Sequence, residues 1–215
     1  MNNKYMLLVL LYAICIFTTH GQSSTKNELW INASLTSELF SVSPTEIGSF
    51  KNRNRIGASL GIESRKKIND NFSLNYGIQV KSFRKSFILN PSEVFINEIN
   101  LHIPILLNYN LKLAKKHFAN FKMGINGVLQ GNVDSHITSD KYDIRIIKNL
   151  GIFPNLKFGF GYKFSGKRSF EVNVLYNMGF FEQGTERVQY LPSETYVETS
   201  INGSFVELEF QYKLK

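Results

Sequence analysis

Between residues 29 and 214, apolar and polar side chains alternate in one segment after another. The last segment shows it most plainly. Val206, Leu208, Phe210, Tyr212 and Leu214 are separated by Glu207, Glu209, Gln211 and Lys213. In a strand the two sets face opposite sides, whereas a helix would scatter both around its circumference. The same period of two marks 29–39, 55–63, 72–81, 98–111, 121–130, 155–164 and 170–180. Eight strands are therefore expected, and the fold class is all-β.

The connections fall into two kinds. Residues 66–71, 112–117 and 165–168 are short and basic, whereas 41–54, 84–95, 131–149 and 181–202 are longer. Short turns alternating with long loops are the pattern of a transmembrane barrel, with its turns periplasmic and its loops external. An even strand number then puts both termini on the periplasmic side. The expected architecture is an eight-stranded antiparallel up-and-down transmembrane β-barrel.

A soluble lipocalin-like barrel has the same strand count and period, but it turns its apolar face inward around a ligand. Here the polar face is rich in Gly, Ser and Asn, as a narrow filled lumen needs. The apolar face is large and aromatic, as a lipid-facing wall needs. Tyr76, Tyr109, Tyr162, Tyr176 and Tyr212 stand among the apolar positions, where an aromatic girdle would lie. The membrane reading is preferred, with the soluble ligand-binding barrel as its alternative.

The N-terminus reads differently. Lys4 precedes an apolar run from Met6 to Phe17, and Thr18, Thr19, His20 and Gly21 follow. That order is the one found in a secretory leader. Residues 1–21 are expected to be a signal peptide cleaved before Gln22, with 22–215 as the barrel domain. The run is shorter than the ~20 residues a spanning helix requires. Cys15 is the chain's single cysteine, and Ile14 before it does not fit acylation as a lipoprotein. Removal of the leader leaves no thiol for a disulfide, a nucleophile or a metal. The net charge of +8 would suggest nucleic acid, but an exported barrel excludes that partner, and many of the basic residues fall in the short turns.

The chain resembles the outer-membrane β-barrel domain proteins of Bacteroidetes, the porin-family or PorT-like barrels. The likeness is carried by Leu101-His102-Ile103-Pro104-Ile105-Leu106-Leu107-Asn108-Tyr109, by Phe158-Gly159-Phe160-Gly161-Tyr162 and by the C-terminal strand. It implies the fold and the cell outer membrane as location, and fixes no activity. Such barrels commonly end in an aromatic residue, whereas this chain ends Tyr212-Lys213-Leu214-Lys215.

Candidate chemistry is sparse. Gly161 to Arg168 approaches a phosphate-binding loop, but Arg168 replaces the required hydroxyl residue and a strand follows instead of a helix. His102, His117 and His136 are expected on a lumen face, in a turn and in a long loop, with no metal-ligand spacing. Ser135-His136 is the one adjacent pair that could serve an outer-membrane lipid-modifying enzyme. Arg55, Glu38, Glu63, Lys81, Glu98, Lys122, Lys157, Lys163, Glu171, Glu207, Glu209 and Lys213 are assigned to the polar face. Glu207 and Glu209 could act as paired carboxylates, but neutralising lumen cations explains them more simply. A lumen so filled argues against a wide channel.

No catalytic, cofactor or metal residue is therefore assigned. The expected role is that of a non-enzymatic outer-membrane barrel, structural, adhesive or accessory to envelope assembly or secretion. Outer-membrane lipid is its expected surrounding, and envelope proteins could be met through the long loops. The fourth loop, with Glu182, Glu186, Tyr190, Glu194, Tyr196 and Glu198, is read either as a binding surface or as a solvated connection.

Overall fold

The computed structural model describes residues 27–38, 51–88, 93–166 and 168–214. The proposed leader, most of the first long connection, Lys167 and Lys215 lie outside the described residues. Twelve strands are formed among the described residues, and eight of them close a barrel. The barrel strands are β1 (Asn27–Glu38), β2 (Lys51–Lys67), β3 (Phe72–Ile88), β4 (Glu93–Ala114), β5 (His117–Gln130), β8 (Gly151–Phe164), β9 (Phe170–Gly179) and β12 (Phe205–Lys213). Every neighbouring pair is antiparallel, and β1 closes the ring by pairing with β12, Ala33 opposite Phe210. The expected up-and-down barrel is the one observed.

The exterior carries the apolar set. Leu60, Ile78, Ile99, Met123, Phe160 and Phe210 are among many large apolar side chains left exposed. A contiguous apolar surface beyond a few hundred Å² is rare in a soluble monomer, and this one encircles the barrel. It is a surface fitted to acyl chains, and the lipocalin-like alternative is set aside because the apolar face points outward. Phe72 packs on Tyr109 with ring centroids 4.9 Å apart near the short-turn end. Phe158 meets Tyr176 edge-on at 5.5 Å.

The strands are not equal in length. A membrane crossing needs about 9–11 residues, yet β2 and β3 have 17 each and β4 has 22. Their ends opposite the short turns therefore stand above the membrane. The connection read as a loop at 84–95 is largely strand, with Lys85 paired to Ile96 and Phe87 to Val94. The alternation is hard to read there because the inward face turns apolar at Phe87 and Val94, while the charged Arg84 and Glu93 face outward.

The last two long connections are also corrected. Each folds as a hairpin, β6 (Val133–Thr138) with β7 (Tyr142–Lys148) and β10 (Gly184–Tyr190) with β11 (Thr195–Ile201). The two hairpins join through β7 and β10 into a four-stranded sheet, β11-β10-β7-β6. Its inner face buries Tyr142, Ile144, Ile146, Val188 and Ile201 against Phe87 of β3, with Val94 and Ile96 of β4 beside them. The raised ends of β3 and β4 and this sheet thus form a small sandwich above the barrel, held by an apolar core of its own.

Candidate functional site

The barrel interior is filled by charge arranged in pairs. Arg65 lies between Glu63, at 3.2 Å, and Glu171, with Gln211 accepting a further bond at 3.0 Å. Lys122 stands 3.3 Å from both Glu171 and Glu209 and donates to Gln211 at 2.7 Å. Lys81 pairs with Glu207, and Lys157 lies 2.9 Å from the same carboxylate. Gln79 and Asn173 each donate to Glu209 at 3.2 Å. These side chains are wholly shielded from solvent or nearly so. Four bases, Arg65, Lys81, Lys122 and Lys157, are matched by four acids, Glu63, Glu171, Glu207 and Glu209. Buried charges persist when so paired and hydrogen-bonded.

Aromatic rings close the network at both ends. Toward the short turns, Trp30 is fully buried beneath Arg65, whose guanidinium carbon lies 4.1 Å from the ring centroid. The indole nitrogen donates to Glu28 at 3.1 Å. Toward the sandwich, Phe83, His102 and Phe205 form a layer with centroids 5.1–6.0 Å apart. Asn126 joins His102 at Nδ1 to Asn177, both contacts being 2.9 Å.

A second ionic layer seals the mouth. Lys148 of β7 pairs with Glu98 of β4, and Lys85 of β3 lies 3.6 Å from Glu186 of β10. All four side chains are buried. Burial, together with the neighbouring Glu98 carboxylate, raises the Glu186 pKa, while Lys85 and Lys148 pull it down; the net shift is upward. Gln130 and Gln183 hold the hairpin bases to the barrel rim. Gln130 donates to the carbonyls of Asn149 and Gln183 at 3.1 and 3.0 Å, and Gln183 donates to that of Asn202 at 3.1 Å.

Most residues assigned to the polar face from the sequence do enter this interior; Arg55 does not. The register between β2 and β3 shifts between Arg55 and Ala58, which places Arg55 opposite Arg84 on the outer wall. A bulge inserts a residue and so reverses the facing of everything beyond it. Lys213 lies at the rim, half-buried, 2.6 Å from Glu28. Arg65, Lys85 and Lys148 were not assigned to it, and Glu186 was read as part of the fourth loop. Arg65 and Lys85 continue the inward parity of their strands, and Lys85, Lys148 and Glu186 all sit in segments read as loops.

The three histidines occupy separate places. His102 is in the lumen, His117 contacts the Tyr162 hydroxyl at the short-turn end, and His136 pairs with Asp143 on the outer face of the added sheet. Ser135 faces the opposite side of β6 from His136, so the adjacent pair forms no nucleophile and base. Gly161 and Tyr162 lie within β8, and β9 follows the turn, so the phosphate-loop lookalike is strand and turn.

The outer face of the added sheet is polar. Asp134, His136, Asp143, Arg145, Arg187 and Gln189 line a shallow depression of about 620 Å³. Arg145 grips Asp134 through two nitrogens, at 2.9 and 3.2 Å, and holds that carboxyl below its ordinary value. Arg187 stands directly opposite Arg145 in the register and stacks on Tyr196 at 4.4 Å.

No family model matches the chain, and no curated protein matches it. Among solved structures it is similar to the outer membrane protein OprG of Pseudomonas aeruginosa, at 12% identity and a TM-score of 0.53, over 90% of this chain and 98% of that one. It is also similar to Neisserial surface protein A, at 12% identity and a TM-score of 0.47 over 87% and 96%. The outer membrane protein AlkL matches at 15% identity and a TM-score of 0.48, over 90% and 93%. The likeness to OprG is one of fold, and that fold is the outer-membrane β-barrel.

Proposed function

We propose that the protein is an integral outer-membrane barrel that holds a folded platform outside the cell and does not act as a diffusion pore. The role is non-enzymatic: structural, adhesive, or accessory to envelope assembly or secretion. One observation carries the reading. The third and fourth long connections build a single sheet that packs on the raised ends of β3 and β4, above a lumen filled by ion pairs. Mobile loops would suffice for an inert anchor, whereas a cored sheet with a polar outer face supports recognition.

In this reading residues 1–21 are the export leader. The finer kinship, with porin-family or PorT-like barrels of Bacteroidetes, is proposed on the patterns of β4 and β8. The external sheet is the surface through which envelope partners would be met, and outer-membrane lipid surrounds the apolar wall.

Cysteine labelling in intact cells tests both location and orientation. In a Cys15→Ser background, Arg187→Cys should react with a membrane-impermeant maleimide. Asp70→Cys, in a short turn, should react after the outer membrane is permeabilised. Recovery of the protein in the soluble periplasmic fraction would overturn the reading.

A further inference from the structure

We infer that the outer wall of β2, β3 and β4 carries a binding site for a phosphorylated lipid of the external leaflet, centred on Arg84. The inference rests on the membrane reading above. The bulge that turns Arg55 outward sets it directly across from Arg84, and Asn97 follows on β4 in the same row. Like charges facing each other across a strand pair are destabilising, so this row gains from an anion. Arg55 is engaged by Glu93 and by Ser86 at 3.2 Å. Among the described residues Arg84 has no carboxylate partner, and its guanidinium carbon lies 4.3 Å from the centroid of Phe95. Stacking on a ring occupies the face of a guanidinium and leaves the N–H edge free, the edge that binds phosphate oxygens.

The surroundings select a lipid rather than a free anion. Arg55, Ile56, Arg84 and Phe95 line one cleft of about 600 Å³. Immediately below this row, toward the short turns, Ile56 and Ile99 are 71% and 72% exposed and begin the apolar wall. A phosphoryl headgroup on Arg84 would thus place its acyl chains along Ile56, Ile99 and Leu60. The height also fits, because the arginines stand at the long-loop edge of the apolar band, where headgroups lie.

Native mass spectrometry of the full chain, folded in detergent with phosphatidic acid or with diacylglycerol, tests the site. The two lipids differ in the phosphate. One phosphatidic acid should be retained in preference to diacylglycerol, and Arg84→Gln should lower that retention by about tenfold or more, the loss of one charge-assisted contact. Phe95→Leu, which keeps both charges but removes the stacking ring, should weaken it as well. Arg145→Gln, on the distant sheet, should leave it unchanged. Equal retention by wild type and Arg84→Gln would overturn the site, as would an equal loss in Arg145→Gln or full displacement by millimolar inorganic phosphate. Arg84→Gln should still fractionate with the membrane, so failure of the site is distinguishable from failure of the membrane reading.

Discussion

The guanidinium of Arg65 covers the ring of Trp30 at 4.1 Å while its nitrogens engage Glu63 and Glu171. One side chain therefore joins the aromatic floor of the lumen to the first ion pairs above it. Arg65→Ala would leave two buried carboxylates without their closest cation. Breaking a buried pair on one side costs about 3–5 kcal/mol, and urea unfolding in detergent micelles should show a loss of that size. A loss below about 1 kcal/mol, the range of exposed pairs, would mean that solvent enters the lumen.

Gly159 sits where β8 and β9 approach each other on the crowded lumen side. A methyl group there would run into the Val174 carbonyl oxygen and the Leu175 side chain. Since the obstacle is backbone, it cannot swing aside. Gly159→Ala should cost about 1–3 kcal/mol by overpacking, read as a lower midpoint in the same urea titration.

The added sheet is held to the barrel by its apolar core and should loosen separately from it. Ile144 is fully buried between the sheet and β3. Removing three carbons from such a site costs about 2–5 kcal/mol. Limited proteolysis of Ile144→Ala should therefore cut within 131–149 and 181–202 while the barrel strands stay protected.

The mouth of the barrel should respond to pH through Glu186. Its folded pKa is raised, by burial and by the Glu98 carboxylate, against the pull of Lys85 and Lys148. Well below the ordinary carboxylate value both states hold the proton and the group contributes nothing to the pH dependence. Above that value the unfolded state releases its proton first, so the stability of the docked sheet falls as pH rises toward the folded pKa. Hydrogen exchange of the β10 amides, corrected for intrinsic rates, should show weaker protection at pH 8 than at pH 5. Glu186→Gln should flatten that slope.

The barrel was legible because each of its strands faces lipid on one side and a polar lumen on the other. That situation writes a period of two along the barrel strands, from Leu29 in β1 to Tyr212 in β12. Arg55 was misplaced because a bulge changes facing without leaving a mark in the pattern. The added sheet was missed for a different reason. Its strands β7 and β10 do alternate, but Lys148 and Glu186 occupy inward positions, and the apolar partner, Phe87, lies on a strand remote in sequence. Charges that pair across such a distance look, in sequence, like solvated loop residues. Trp30 was similarly hidden, an aromatic ring on the face otherwise given to Asn and Ser.

Planar-bilayer recording on the purified, folded protein tests the closed lumen most directly. Lys81, Lys122, Lys157 and their carboxylate partners fill the lumen and are almost wholly shielded from solvent. Insertion should therefore produce no steady open level. A large, stable, ohmic conductance from the wild-type chain would contradict the account.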